Sequence, residues 1–311
     1  MPRDARSGVT VEYDKSLQIG PYLARLTITG ETAPALGPEW LTRRFAQFIC
    51  DDPACVDEED VALSLASAGG TWPRPGRAKN RTLKAVNEGF GSWRVFRDDI
   101  DAALTPSIFV IEGEVAPSGL AVDACLQMLL WLAMTDPACA PGIMVHAATT
   151  VHDGDAYLFF GPAGAGKSTL VSHSPGQIAL CDDLSVLTRD EDGAWQAWPS
   201  PFWDWEGQFD GAQTTRPYPV RGIVSLEQGP ATRLTPSAPD KALTHLMEHV
   251  YAYDSFIQGS NRTFELVADL LDKTRRRGDV GVLHLAQGDD PYQAFEPDYS
   301  RAVFALRRPG T

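Results

Sequence analysis

The residues most suited to chemistry are those of a glycine-rich loop, numbers 161–168, which read Gly-Pro-Ala-Gly-Ala-Gly-Lys-Ser and fit the pattern G-x-x-x-x-G-K-[ST] in full. Glycines in such a loop let successive backbone N–H groups turn inward around phosphate oxygens, and the start of the following helix adds partial positive charge. In this pattern Lys167 reaches the β- and γ-phosphates, and the Ser168 hydroxyl binds Mg²⁺. The predicted nucleotide-binding residues are Gly161, Ala163, Gly164, Ala165, Gly166, Lys167, Ser168 and Thr169.

Two adjacent carboxylates, Asp182 and Asp183, follow the apolar segment 178–181. They come 15 residues after Lys167, which leaves room for one short helix and a returning strand. Such a connection brings both acids beside the loop, at the edge where open α/β sheets bind ligands. Because consecutive strand side chains point to opposite faces, we expect one carboxylate to face Mg²⁺ and the other to face the acceptor.

A histidine, His146, lies in the apolar segment 143–148, 15 residues before Gly161. A histidine in an apolar strand is often a core residue with its hydrogen bonds satisfied. A hairpin feeding the glycine-rich loop would instead place it within reach of the γ-phosphate. The spacing alone leaves both interpretations open.

The loop, the acid pair and the histidine together resemble the HPr serine kinase/phosphorylase family and its relatives, which share a P-loop with ATP-dependent phosphoenolpyruvate carboxykinases. The matching segments are Val145-His146-Ala147, the run 160–168, and Leu180-Cys-Asp-Asp183, in that order and spacing. The resemblance covers residues 143–190 well and the rest in outline. It implies an α/β P-loop nucleotide-binding domain with a mixed sheet, preceded by a smaller α+β domain.

The resemblance also implies roles for these residues. Asp182 corresponds to the base that acts on the acceptor serine hydroxyl, and His146 to a supporting group near the transferred phosphate. Asp183 and Ser168 correspond to the Mg²⁺ side, while Lys167 binds the phosphates. The implied reaction transfers the γ-phosphoryl group of ATP, with Mg²⁺, to a serine of a peptide or protein.

The sequence predicts two domains with a boundary near residue 140: an N-terminal α+β domain of unknown role, 1–140, and the kinase-like domain, 141–311. In the second, a turn at Asp153-Gly154 joins the strands 143–148 and 156–160, and a short helix starts at Lys167. Further strands are predicted at 178–181, 184–188, 195–198, 222–226, 232–234 and 280–285, and amphipathic helices at 239–253 and 263–276. In the first, we predict two strands within 9–30, a helix at 38–49, loop at 51–80, a strand at 107–112 and a buried helix at 120–134.

Composition narrows the function classes. The chain has 311 residues and a net charge of −14, which opposes binding to nucleic acid or to an anionic membrane. The apolar segment 120–134 is shorter than the ~20 residues of a membrane span. The first ten residues carry no apolar run typical of a signal peptide, and the five scattered cysteines are expected to be reduced thiols of a cytoplasmic protein. Assembly into a homo-oligomer stays open.

Alternatives to a serine kinase are a small-molecule kinase and a nucleotide-binding sensor or scaffold with little turnover. A transporter-type ATPase is disfavoured because neither a Leu-Ser-Gly-Gly-Gln signature nor a late apolar strand ending in Asp-Glu is present. The tract 195–206 holds four tryptophans. They would either line a binding site for adenine or a peptide, or belong to a loop that packs on the sheet.

Overall fold

The computed structural model describes residues 10–31, 38–51, 59–67, 72, 83–173, 178–203, 214–286 and 288–295. These residues form a mixed α/β protein with two sheets and few helices. The chain divides into two units, one of Met1–Cys139 with Tyr253–Gly259 and one of Ala140–Ala252 with Ser260–Thr311.

The first unit is built on a seven-stranded sheet with the order β1-β2-β3-β7-β6-β5-β4. Its strands are β1 (Thr10–Ile19), β2 (Tyr22–Glu31), β3 (Val61–Ser67), β4 (Lys84–Gly89), β5 (Ser92–Arg97), β6 (Ile100–Thr105) and β7 (Val110–Val115). Helix α2 (Gly119–Thr135) packs on β3 and β7, and the shorter α1 (Pro38–Phe45) packs on β1. Nearly every side chain of α2 is buried, so this apolar segment is a core helix.

The sequence prediction was incomplete in this unit. Strand β3 lies within the segment predicted as loop, and it pairs in parallel with both β2 and β7. Alternating burial of Val61, Leu63 and Leu65 is the period-two signal that the acidic and Gly/Pro-rich flanks obscured. Strands β4 to β6 were not predicted either. Helix α1 gives way to a 3₁₀ turn at Ala46–Phe48, and β7 begins three residues later than predicted.

The second unit contains an eight-stranded mixed sheet. Its strands are β8 (Gly142–His152), β9 (Asp155–Phe160), β10 (Ile178–Cys181), β11 (Leu184–Arg189), β12 (Trp195–Trp198), β13 (Tyr218–Gln228), β14 (Arg233–Pro236) and β15 (Asp279–Leu285). The first half of β8 pairs with β11, and its second half pairs with β10 and β9. Strand β9 lies between β8, which is antiparallel to it, and β13, which is parallel to it. Strand β15 continues the parallel part of the sheet beyond β13.

The predicted hairpin between β8 and β9 is confirmed. Asp153 and Gly154, at its centre, both have positive φ, 52° and 87°. This is the backbone of a tight type I′ turn, which matches the twist of the two flanking strands. The turn fixes the register in which Ala147 pairs with Phe160, so His146 lies just beyond the end of β9, beside the start of the glycine-rich loop.

Strand β9 shows how this sheet is buried on both faces. Leu158 and Phe160 pack into a core cluster with Leu246 of helix α4 (Pro239–Met247) and Leu270 of helix α5 (Ile257–Arg277). Phe159 packs on the opposite face, in a second cluster with Leu170 of helix α3 (Lys167–His173) and Tyr292 of the C-terminal 3₁₀ turn Pro291–Phe295. Two-sided burial explains why β8 and β9 read as nearly continuous apolar runs.

Helix α4 ends earlier than the amphipathic pattern predicted. The pattern extends to residue 253, but the helix stops at Met247 and the chain then pairs with β8. The N–H of His146 donates to the carbonyl of His249 at 2.7 Å, and the N–H of Tyr251 donates to the carbonyl of Met144 at 2.9 Å. Val250 forms a bridge with Val145 between these bonds. Strand pairing supplies backbone hydrogen bonds that a continued helix would have supplied locally, so tertiary structure overrides the helical pattern here.

Two predictions from composition can be compared with the structure. Cys125, Cys139 and Cys181 are free, but Cys50 is disulfide-bonded, so the prediction that all five cysteines are reduced was wrong for Cys50. Among the described residues, no helix is both long and apolar enough to cross a bilayer.

Candidate active site

The glycine-rich loop leaves the C-terminal end of β9 and leads directly into α3. The N–H of Ala165 donates to the carbonyl of Pro162 at 3.1 Å, closing a turn, and the first helical bond runs from the Leu170 N–H to the Gly166 carbonyl. Gly164 and Gly166 have φ of 82° and 105°, a region that side-chain-bearing residues rarely adopt. The loop therefore has the strand–loop–helix context and the backbone turns that the sequence pattern predicts.

The loop is held closely against β13. A Cβ added to Gly161, whose φ is 152°, would lie 3.0 Å from the backbone oxygen of Leu226. At the tip of the loop, the side-chain amide of Gln228 donates to the carbonyl of Gly164 at 3.2 Å. The loop conformation is thus fixed by the parallel neighbour of its own strand as well as by its glycines.

Lys167 folds back over the start of the loop. Its Nζ donates to the carbonyl of Gly161 at 2.7 Å and to that of Pro162 at 3.4 Å, and the residue is only 9% exposed. Burial lowers the pKa of Lys167, and the Asp183 carboxylate acts in the opposite direction. The ammonium group therefore lies at the Gly161–Pro162 end of the loop, within electrostatic range of Asp183.

The acid pair forms the turn between β10 and β11. The two carboxylates have different surroundings, since Asp182 is 1% exposed while the Asp183 side chain is 37% exposed. Below the turn, the hydroxyl of Ser185 donates to the carbonyl of Ala147 at 2.9 Å and lies 2.5 Å from the Thr149 hydroxyl. These buried bonds tie the turn to β8 and fix the position of both acids.

His146 and Asp183 lie together. The imidazole Nδ1 is 3.0 Å from Asp183 Oδ1, and both side chains are between one third and two fifths exposed. His146 also pairs directly across the strands with Leu184, the residue after the acid pair. The register of β8 and β11 is therefore what brings the histidine to the carboxylate. His146 is not a core residue, because its side chain reaches solvent at the site.

Two of these residues offer oxygen ligands suited to Mg²⁺. The Ser168 hydroxyl is at the start of α3, and the Asp183 carboxylate is at the β10–β11 turn. Protein-bound Mg²⁺ is commonly held by one or two carboxylates with water and phosphate oxygens completing the octahedron, so this donor set fits the ion. The described part of the chain contains no group of three or more His, Cys, Asp or Glu side chains that could hold a metal ion.

A cleft of about 740 Å³ opens beside the loop. One wall is the first part of the loop, from Pro162 to Ala165, and a second is the C-terminal end of β13, from Ser225 to Gln228. The third wall consists of three residues at the end of α4: His245, Glu248 and His249. A volume in this range is typical of sites for small molecules or for a few residues of a peptide.

Sequence reasoning missed the α4 wall. The spacing His-x-x-Glu-His at 245–249 was a signal, since it is also the order of residues in some helical metal sites. Here the helix ends before Glu248, and the Nδ1 of His249 donates to the carbonyl of His245 at 2.9 Å. The His249 ring also packs edge-on against Phe160, with centroids 5.1 Å apart. Only the topology reveals that these side chains face the glycine-rich loop.

The tryptophan tract has a structural role where it is described. Trp195 donates to Asp269 at 2.9 Å, and Trp198 donates to the Thr188 hydroxyl at 2.8 Å. Trp203 is buried against Val171, among other core residues, and donates to the carbonyl of Ser200. None of the three lines the cleft. The rest of the tract, residues 204–206, lies outside the described residues.

Part of the chain matches the profile of a known protein family. The profile of a family described as "SynChlorMet cassette protein ScmC" matches residues 124–274, which is just under half of the chain. The matched region includes the glycine-rich loop, the acid pair, His146 and the α4 wall of the cleft. No curated protein matches the chain.

Proposed function

We propose that this protein is an ATP-dependent kinase of the HPr kinase-like type, which transfers the γ-phosphoryl group to the hydroxyl of a serine in a peptide or protein. The observation that carries the proposal is the grouping around one sheet edge of the glycine-rich loop, Lys167 and the His146–Asp183 pair. A phosphate-binding loop alone is common to many nucleotide-binding proteins. A carboxylate paired with a histidine beside the lysine adds groups that can act on metal and acceptor.

Each residue has a role that its position supports. In this proposal the loop N–H groups and Lys167 bind the phosphates of ATP, as expected for a P-loop domain of the HPr kinase and phosphoenolpyruvate carboxykinase type. Ser168 and Asp183 would hold Mg²⁺, which would supply positive charge against the phosphate oxygens during transfer. His146 orients the Asp183 carboxylate through their 3.0 Å contact.

In the transfer step, the acceptor serine oxygen forms a bond to the γ-phosphorus. The bond between that phosphorus and the β,γ-bridging oxygen breaks, and ADP leaves with the electron pair. The hydroxyl proton passes to a carboxylate, for which Asp182 is the candidate. Positioning and electrostatic stabilisation account for most of the rate in this class of reaction.

The burial of Asp182 favours a second candidate, a nucleotide-binding sensor with little turnover. A base must reach the proton that it removes, and Asp182 is 1% exposed. In a kinase, acceptor binding has to bring the hydroxyl to this carboxylate. In a sensor, Asp182 would only shape the turn that carries Asp183.

Paired measurements on an Asp182→Asn variant distinguish the two. Nucleotide affinity is measured by titration, and phosphoserine formation is measured with labelled ATP, Mg²⁺ and serine peptides. For a kinase we expect ATP affinity to stay within a few-fold while transfer falls by about 10²–10⁴-fold, the usual contribution of a general base. His146→Ala should lose less, because the histidine acts only through Asp183.

Full transfer activity in Asp182→Asn would remove Asp182 from the mechanism. Absence of transfer by the parent protein to every serine peptide and to small hydroxyl compounds, with ATP binding intact, would contradict the kinase and favour the sensor. Transfer only to small hydroxyl compounds would identify a small-molecule kinase instead.

A further inference from the structure

The cleft lies beside one particular end of the glycine-rich loop, the end that begins at Pro162. In loops of this pattern the lysine ammonium reaches the β- and γ-phosphates. Here that ammonium lies at Gly161 and Pro162, whereas Ser168 and Thr169 follow at the opposite end of the loop. The cleft is lined by the loop from Pro162 onward and not by Ser168 or Thr169. It is therefore next to the γ-phosphate end, where the acceptor must bind.

The cleft is also joined to the His146–Asp183 pair by a direct backbone contact. The His146 N–H donates to the carbonyl of His249 at 2.7 Å, so a cleft-lining residue is the hydrogen-bonded neighbour of the site histidine. A peptide whose serine is held at the acid pair would therefore extend toward the cleft through its neighbouring residues.

The charge of the cleft is one-sided. Two carboxylates, Glu227 and Glu248, line it, and no Lys or Arg is found among the described residues of its walls. Glu248 is exposed, while Glu227 remains about half exposed although its Oε2 lies 3.5 Å from His284 Nδ1. The remaining polar lining consists of uncharged amide and hydroxyl groups and the two histidines, His245 and His249. Such a surface repels phosphate groups and attracts cations.

We propose that this cleft selects the acceptor, and that the acceptor is a peptide segment in which a Lys or Arg side chain flanks the phosphorylated serine. The inference rests on the proposed kinase function and adds the substrate class to it. The carboxylates of Glu227 and Glu248 bind the cationic side chain, while the exposed ring of Pro162 contacts its alkyl stem. The lysine of the loop stays available for the phosphates.

The test compares three synthetic peptides that differ only in the residues flanking one serine: Arg, Gln or Glu. Transfer is measured as kcat/KM for each peptide. We expect the kcat/KM of the Arg peptide to exceed that of the Glu peptide by about tenfold at low salt, because each exposed ion pair contributes up to about fivefold. This preference should shrink as ionic strength rises, because salt screens exposed charges. Glu248→Gln should reduce the preference by about threefold to fivefold, through KM rather than kcat. Glu191→Gln, the same change on an exposed turn outside the cleft, should leave it unaltered.

Binding of the labelled Arg peptide is measured in parallel, with a non-hydrolysable ATP analogue and Mg²⁺. Charge-selective binding that Glu248→Gln weakens, without transfer in the turnover assay, would support the cleft assignment and contradict the kinase. Transfer with equal kcat/KM for all three peptides would support the kinase and overturn the cleft assignment. A Glu248→Gln variant with the parent preference but a raised KM for ATP would also overturn it, because the cleft would then hold the nucleoside.

Discussion

The most direct consequence of the loop geometry concerns Lys167. In the structure its ammonium is bonded to two loop carbonyls, and the proposed function requires these bonds to be exchanged for phosphate oxygens on ATP binding. Charge-assisted hydrogen bonds contribute about 1.5–3 kcal/mol each, so losing two of them in Lys167→Ala should weaken ATP binding at least a hundredfold. The variant keeps the glycine turns and the contact of Gln228 with Gly164, so the loop itself should retain its conformation.

The effect on the protein without nucleotide should be small, because two contributions oppose each other. Removing Lys167 removes its hydrogen bonds to the loop, but it also removes a buried cation, whose pKa is lowered by that burial. We therefore expect the free energy of unfolding without nucleotide to change by no more than about 1 kcal/mol.

The assay is thermal unfolding with and without Mg²⁺-ATP. At a concentration 100 times the dissociation constant, the parent protein gains about 2.7 kcal/mol, which for a unit of this size raises Tm by about 5–10 °C. At the same concentration Lys167→Ala should gain about 0.4 kcal/mol or less, a shift of about 1 °C. Lys84→Ala, a change at an exposed lysine of β4, serves as the control and should keep the parent shift.

Two outcomes would refute this reasoning. A parent Tm that is constant across millimolar nucleotide would mean that the loop does not bind nucleotide phosphates. A Lys167→Ala variant that keeps the parent shift would mean that the ammonium remains on the loop carbonyls and does not contact the phosphates.

Two further predictions follow from the site. Asp183→Asn should weaken ATP binding measured with Mg²⁺ more than binding measured in excess chelator, because the carboxylate acts through the metal; equal weakening would make Asp183 a structural partner of His146. Gly164→Ala should lower the free energy of unfolding by about 1–2 kcal/mol through backbone strain alone, because φ is 82° and a Cβ would meet no atom within 4 Å. The same variant should also bind nucleotide more weakly. Gly91→Ala, at φ 81° and equally free of contacts, should cost the same stability without changing affinity, and a matching affinity loss in both variants would argue against a special role for the loop backbone.

The parts of the fold that the sequence predicted are those determined by local chemistry. The Asp153-Gly154 turn requires positive φ at two adjacent residues, and the apolar runs on either side of it have the lengths of buried strands. The strand–loop–helix order around Gly161 follows from the same kind of local signal. These features need no knowledge of what lies across the sheet.

The parts that the sequence did not predict depend on distant partners. Strand β3 has acidic and Gly/Pro-rich flanks that obscure its alternating pattern, and only its parallel neighbours β2 and β7 make it a central strand. The amphipathic pattern of α4 continues past Met247, yet pairing of Val250 with Val145 ends the helix there. In both places, hydrogen bonds across the sheet outweigh the local propensity.

The candidate site also contains residues that the sequence predicted and residues that only the fold brings together, and this difference matters for substrate specificity. The residues proposed to act on phosphate, Lys167 and Asp183, belong to short motifs whose spacing is visible in the sequence. The residues proposed to choose the acceptor, Glu227 and Glu248, come from the end of a strand and the end of a helix, and no motif joins them. In the proposed function, phosphoryl transfer to any acceptor requires Lys167 and Asp183. Glu227 and Glu248 could differ without disturbing the transfer chemistry. The acceptor must therefore be sought from the shape and charge of the cleft, because the motif that predicts the reaction carries no information about it.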